Sequence, residues 1–167
     1  MKTLYCMLWT LLFAALSLPS LGEENLQFTG NLLAPPACII SNNGGRIDVR
    51  FERNIAVNRI DGELYRQAIA YQIECPNADG TGIAWHMRLT LKGAYADFDP
   101  TVLKTSVEHL GIKVLLGGTV LIPNESREID VSTSTPPQLE AVPVKLAAAQ
   151  LPSTDFTASA LLMAELY

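Results

Sequence analysis

An all-β fold built as a sandwich is what this 167-residue sequence predicts, on three observations. Short segments in which apolar and polar side chains alternate recur along the chain. Clusters of Gly, Pro, Asn and Asp separate them at short intervals. No segment after residue 22 carries the apolar spacing of an amphipathic helix. With 49% hydrophobic residues there is ample material for one core, and the length suits one domain.

Taken in order, residues 1–22 read as an export signal. Lys2 is their sole charge, an apolar run extends from Leu4 to Leu18, and Pro19-Ser20-Leu21-Gly22 places small residues where a signal peptidase cuts. The run is shorter than the ~20 residues that a bilayer-spanning helix needs. Cleavage leaves a chain beginning at Glu23, more negative than the −5 of the full sequence by the charge of Lys2. Its Lys and Arg residues are thinly spread and form no cluster, which argues against a nucleic-acid partner.

The stretch Asn25 to Ala34 comes next. Leu26, Phe28, Gly30, Leu32 and Ala34 alternate with Asn25, Gln27, Thr29, Asn31 and Leu33, close to strict period two. The spacing predicts a strand with one apolar face. Pro35-Pro36 then removes two consecutive N–H donors and stiffens the chain, setting this strand apart from the residues after it. Residues 23–36 are thus read as an N-terminal extension and 37–167 as the domain proper. Two roles are open to such a strand: the first strand of its own sheet, or a strand exported to another molecule.

Cys6 leaves with the signal, so Cys38 and Cys75 remain as an isolated pair in an exported chain and are expected to form one disulfide. Neither a Cys-x-x-Cys spacing nor further ligands suggest a redox or metal site.

After the turn signal Asn42-Asn43-Gly44-Gly45, Ile47, Val49 and Phe51 alternate with Arg46, Asp48, Arg50 and Glu52. A strand over 65–75 places Ile69, Tyr71, Ile73 and Cys75 on one face. The cleanest alternation runs from Ile83 to Lys92, with Ile83, Trp85, Met87, Leu89 and Leu91 on one side. Residues 93–106 lose the pattern and are expected as a surface excursion. Leu110, Ile112, Val114 and Leu116 resume it before a Gly117-Gly118 turn, and Thr119 to Ile122 continue as a short strand. Residues 124–138 read as a long loop. Val142, Val144, Leu146 and Ala148 share a face in a strand over 139–149, where Pro143 limits the pairing.

The final segment, Phe156 to Tyr167, alternates throughout, with Phe156, Ala158, Ala160, Leu162, Ala164 and Leu166 expected inside. About seven strands, short turns and one disulfide describe an immunoglobulin-like sandwich. The small inward residues of the last strand leave a shallow groove beside it, and no sequence remains to fill that groove. A sandwich that lacks its final strand is therefore expected, with an apolar cleft and an unpaired edge.

On these residues the chain resembles the pilin subunits of bacterial chaperone–usher fimbriae, particularly the small minor or tip-type subunits. The likeness lies in Phe28-Thr29-Gly30-Asn31-Leu32-Leu33 ahead of Pro36-Ala37-Cys38, in Cys75 closing a strand, and in the ending Phe156-Thr157-Ala158-Ser159-Ala160 to Tyr167. The resemblance implies an incomplete sandwich that is completed by a donor strand from a periplasmic chaperone or from a neighbouring subunit, which is strand addition to an exposed edge. It implies that Leu26, Phe28 and Leu32 fill pockets in a neighbour, with Gly30 where the groove is too shallow for a side chain. It also implies that the strand with Phe156, Ala158, Ala160, Leu162, Ala164, Leu166 and Tyr167 lines this subunit's own groove and pairs with the chaperone. The partners implied are that chaperone, an outer-membrane usher and other fimbrial subunits, and the place is a cell-surface fimbrium reached through the periplasm.

Other chemistry finds little support. His86 and His109 have no metal-ligand spacing or nucleophile motif beside them. Asp97 and Asp99 lie with Pro100 in turn chemistry. Gly44-Gly45 and Gly117-Gly118 lack a strand–loop–helix context for phosphate. Asn124-Glu125-Ser126 is a chance sequon. No catalytic residue, metal or cofactor is expected, and the chain is read as a structural minor subunit that polymerises by donor-strand exchange and supports cell adhesion. The alternative is a carbohydrate-binding adhesin of the same kind of fimbria; a sandwich-fold periplasmic hydrolase is a third class, without an acid, base and nucleophile constellation to support it.

Overall fold

The computed structural model describes residues 26–78, 82–130 and 135–167. The expected signal, residues 1–22, and the first residues of the extension, 23–25, lie outside the described residues. The chain divides after Leu33, and Ala34–Tyr167 forms one compact unit. Residues 26–33 carry no regular secondary structure and enter no sheet among the described residues, although their sequence alternates as a strand's does. Alternation specifies which face a strand would bury; it does not supply the hydrogen-bonding neighbour that makes a strand.

Among the described residues eleven strands make up the sandwich, in chain order β1 (Ile39–Ser41), β2 (Gln67–Ile69), β3 (Gln72–Glu74), β4 (Met87–Lys92), β5 (Tyr95–Ala96), β6 (Asp99–Lys104), β7 (Leu110–Leu116), β8 (Thr119–Val120), β9 (Ser126–Ile129), β10 (Leu139–Lys145) and β11 (Leu161–Leu166). Their pairings are antiparallel. One sheet runs β2-β10-β7-β6-β5 with β8 on β7, a second runs β11-β4-β9, and β1 pairs β3.

The core lies between these sheets. β4 contributes Met87, Leu89 and Leu91, all buried, while Arg88 and Lys92 face out, as their alternation dictates. Ile112, Val114 and Leu116 of β7, Leu139 and Ala141 of β10, and Ala164 and Leu166 of β11 pack against them. β7 is buried along nearly its whole length, which identifies it as the central strand. Thr90 is buried among apolar neighbours, and its hydroxyl meets that of Ser126 at 2.8 Å on the paired strand, so its polar group is satisfied. Gly111 lets β6 approach closely, since a Cβ there would stand 2.7 Å from Val102 Cγ2.

Several expectations are corrected. Residues 93–106 are not a loop but a hairpin, β5 to β6, which buries Val102 and Leu103. Asp99 Oδ1 accepts hydrogen bonds from the Thr101 amide (2.8 Å) and hydroxyl (2.7 Å), and the register shifts between Tyr95 and Ala96. Acids and Pro100 at this tight turn mask the strand pattern. The expected loop 124–138 contains β9. The single strand expected over 65–75 is two, broken at Ala70-Tyr71, because β2 joins β10 whereas β3 joins β1. The strand at 83–92 begins only at Met87. Pro143 sits inside β10, opposite Ile112 of β7 and beyond Leu139–Ala141, the part of β10 that pairs with β2. Only Leu161–Leu166 of the last alternating segment joins a sheet.

Cys38 and Cys75 form the expected disulfide, with their Cα atoms 4.1 Å apart. They occupy the rung beside Ile39 opposite Glu74, so the bridge continues the β1–β3 ladder covalently.

Candidate functional site: a cleft between two unpaired segments

Two stretches of the domain have the side-chain pattern of strands without a sheet partner between them. In the first, Ile47, Val49 and Phe51 are half-buried while Arg46, Asp48, Arg50 and Glu52 are exposed. This is the burial a strand would show, yet residues 46–54 enter no ladder among the described residues. In the second, residues 151–160 lead into β11. Their backbone is tied at Thr157, whose carbonyl accepts from the Ser106 amide at 2.9 Å and whose amide donates to Ser106 Oγ at 3.0 Å.

These stretches form the lips of a cleft of about 1290 Å³. Its floor is the core itself, including Leu91, Leu103, Ile112 and Leu139. Outside the lips, Ala37 bridges Glu165 in antiparallel sense, and between them the ring of Phe51 lies 5.7 Å from that of Phe156, with the planes at 46°. An apolar floor open between two unpaired backbones is a template for one more strand.

The predicted groove residues separate along the last segment. Phe156, Ala158, Ala160 and Leu162 line the cleft, whereas Ala164 and Leu166 are buried in the sandwich core. The expectation that the whole row points inside is corrected for Ala158 and Ala160, which are exposed on the lip. Nothing in the described structure covers them, which is the physical counterpart of their small size. Gly93 stands beneath this lip, where a Cβ would meet Leu103 Cδ2 at 2.7 Å and Ala160 Cβ at 3.2 Å.

Tyr167 lies beyond the cleft on the outer face of β11-β4-β9. Its backbone exchanges hydrogen bonds with His86 at 2.9 and 3.0 Å, the guanidinium carbon of Arg88 sits 5.3 Å from its ring centroid, and its hydroxyl donates to Glu128. That bond to a carboxylate is the main cause of its raised pKa. Arg88 also pairs with Glu165 at 2.9 Å.

Of the expected donor residues, Leu26, Phe28 and Leu32 are 69%, 88% and 100% exposed, and Gly30, also exposed, lies between them in sequence. The first lip, with Phe51 at its centre, is a site that sequence reasoning misses. Its signal is the alternation from Arg46 to Glu52, which is indistinguishable from that of an ordinary paired strand. His86 and His109 stand apart, the first beside Tyr167 and the second 3.6 Å from Glu108. Among the described residues, no group of three or more His, Cys, Asp or Glu is placed to hold a metal ion.

Comparison with known proteins agrees with this geometry. The fimbrial-like protein YfcQ of Escherichia coli (strain K12) is 34% identical over 154 residues, covering 92% of this chain and 93% of that protein. YfcR of the same organism is 35% identical over 129 residues, covering 75% and 71%. Among solved structures, the P pilus adaptor subunit PapF superposes with a TM-score of 0.56 at 23% identity, over 78% of this chain and 96% of that one. The P pilus rod subunit PapA superposes with a TM-score of 0.57 at 14% identity, over 84% and 98%. The fold is thus an immunoglobulin-like sandwich without its final strand. The sequence profile of the family described as Fimbrial protein matches residues 26–165, and the chain belongs to that family.

Proposed function

We propose that this chain is a structural, non-enzymatic minor subunit of a chaperone–usher fimbria, joined to its neighbours by donor-strand exchange and supporting cell adhesion. The observation that carries the reading is the cleft between residues 46–54 and 151–160, floored by core side chains and lacking one strand. A second, independent feature is the exposed segment 26–34, in which the large apolar residues Leu26, Phe28 and Leu32 share one row with Gly30 and Ala34.

In this reading the cleft accepts an extended strand, and residues 26–34 are the strand this subunit gives. Leu26, Phe28 and Leu32 enter apolar pockets of a neighbour and Gly30 passes over a shallow place. Burying each large side chain contributes about 2–3 kcal/mol, before the ladder hydrogen bonds are counted. Phe156, Ala158, Ala160 and Leu162 line the acceptor side, and the edge that continues to Tyr167 pairs with a periplasmic chaperone lending a temporary strand. Export through the periplasm, exchange at an outer-membrane usher and residence in a cell-surface fimbrium complete the path.

Deletion of residues 23–34 tests the proposal. The shortened subunit is expected to keep its disulfide and to accept an added strand peptide, while losing the ability to dock into another subunit in a strand-exchange assay read by gel shift. Unchanged docking, or loss of the subunit's own fold, would overturn it.

A further inference from the structure

We propose that Glu63 is a positioning residue for strand capture: through a chain of ion pairs on the outer face of the β2-β10-β7 sheet it anchors the strap that holds the first lip of the cleft. The proposal rests on the strand-acceptor reading above and adds what keeps the acceptor in shape.

The lip needs an anchor. Residues 46–55 make no backbone–backbone hydrogen bond among the described residues, so this span hangs between two posts. The first is the turn at 42–45, where Asn42 and Gly45 exchange backbone hydrogen bonds at 3.1 and 2.9 Å. The second is the strap 56–66, which leaves the lip and runs into β2. Its inner side belongs to the cleft, since Val57 and Ile60 line it together with Val107 and Leu110, and Ile60 is buried. A displaced strap would carry the end of the lip with it.

The strap is closed on itself. Asp61 Oδ1 accepts from the amides of Glu63 (2.9 Å) and Leu64 (2.8 Å), and the Ala56 amide donates to the Tyr65 hydroxyl at 3.2 Å. Compact surface loops of this kind hold their own shape, so what the strap requires from the sheet is attachment. Gly62, at φ +84°, is buried so near the sheet that a Cβ would stand 3.4 Å from Lys113 Nζ.

That attachment is ionic. Lys113 of β7 and Glu140 of β10 are out of phase with Ile112, Val114, Leu139 and Ala141, which floor the cleft on the other face of the sheet. Glu63 Oε1 lies 3.6 Å from Lys113 Nζ, Glu63 Oε2 lies 2.8 Å from Arg66 Nη2, and Arg66 Nη1 lies 3.0 Å from Glu140 Oε2. Glu63 links the two ends, and without it Lys113 has no ion-pair partner among the described residues. The Lys113 and Glu140 side chains are 20% and 14% exposed, so each is a sheltered charge that needs its counterion. Glu63 itself is 69% exposed and open to salt. Pairs of this kind add little to global stability, so their effect is local: they set how often the strap lifts. A lip held in place beforehand keeps its captured strand longer.

The test uses the full mature chain carrying a fluorescein-labelled peptide of residues 26–34, with release followed by anisotropy against excess unlabelled peptide. Glu63→Gln should speed release about tenfold, since differences between related complexes fall mainly in the rate of leaving. Deuterium uptake at 46–55 should rise with it, while uptake at Met87–Lys92 stays the same. Lys113→Gln should speed release less, and the double variant should be no faster than Glu63→Gln alone. Raised salt should bring the native chain toward the variant and leave the variant unchanged. Equal release from the native and Glu63→Gln chains, additive effects in the double variant, or uptake that rises equally in β4 would overturn the proposal and leave the acceptor reading standing. Should a variant not fold, the native chain decides, because release indifferent to salt overturns the proposal by itself. If the native chain binds no labelled peptide, the acceptor reading fails and the proposal with it.

Discussion

Phe51 and Phe156 touch ring to ring at 5.7 Å across the cleft, each from a segment that no sheet holds in place among the described residues. Both are half-buried against the core, so the contact ties the two lips together beneath the space a further strand would occupy. Tilted aromatic pairs of this kind contribute about 1 kcal/mol beyond the area they bury. A double-mutant cycle with Phe51→Ala and Phe156→Ala, read from denaturant midpoints of the strand-complemented subunit, should return a coupling of about 1 kcal/mol. A coupling near zero would mean that the rings are neighbours without mutual effect.

Completion of the fold is the second expectation. Expressed without a partner, the mature chain should aggregate or be degraded, because the cleft exposes core side chains between unpaired backbones. Appending a copy of residues 26–34 to the C-terminus through a flexible linker should give a soluble monomer with a cooperative unfolding transition. A stable, soluble monomer from the leader-deleted chain alone would show that the sandwich needs no further strand.

The bridge makes a third. The Cys38–Cys75 link spans 37 positions of sequence, and on the chain-entropy account its loss costs about 4 kcal/mol. Cys38→Ser should therefore lower the yield of folded subunit and its capture of any donor strand together. Detection of two free thiols by mass spectrometry of the exported protein would contradict the bridge.

Close approach at two glycines gives a fourth. A methyl group on Gly111 would stand 2.7 Å from Val102 Cγ2 and 3.1 Å from the Leu103 carbonyl oxygen. Gly111→Ala should cost about 1–3 kcal/mol through overpacking of the β6–β7 pair. Gly93→Ala pushes on Leu103 and Ala160 instead, so its signature should be a shifted cleft lip: weaker strand capture at a smaller cost in stability. Equal loss of stability with unchanged capture would argue that the lip is not positioned from below.

The last prediction concerns pH. The Tyr71 hydroxyl donates to the Pro137 carbonyl at 2.6 Å, and burial pushes its pKa up from 10.0 to about 12. A folded-state pKa above the unfolded one gives stability that is complete below pH 10 and is lost as pH rises toward 12. Tyr71→Phe should flatten the stability profile across that window, at the expense of the hydrogen bond at lower pH. An unchanged alkaline profile in the variant would remove Tyr71 as its cause.

Alternation alone determined much of this protein. The β class, the inward row of β4, the ordered row of β7 and the Cys38–Cys75 pair are legible in sequence, because burial on one face forces a period of two and an exported pair of cysteines has one way to pair; the row expected in β10 is corrected, since Leu139 and Ala141 face the core while Leu146 and Ala148 lie beyond the strand and are exposed. Three matters were decided only by tertiary structure. Phe51 and its neighbours look the same in sequence whether a strand lies beside them or not, since the pattern records the face that is buried and not the edge that is bonded. The hairpin Tyr95–Lys104 is hidden because its turn acids obey local hydrogen bonding and not periodicity. Ala158 and Ala160 belong to the same inward row as Ala164 and Leu166, yet the first pair lines an open cleft and the second the closed core. The reason is that burial belongs to the assembly of strands and not to any one of them: where a neighbour stands across the sheet the row closes, and where the neighbouring strand is missing the same residues become a surface.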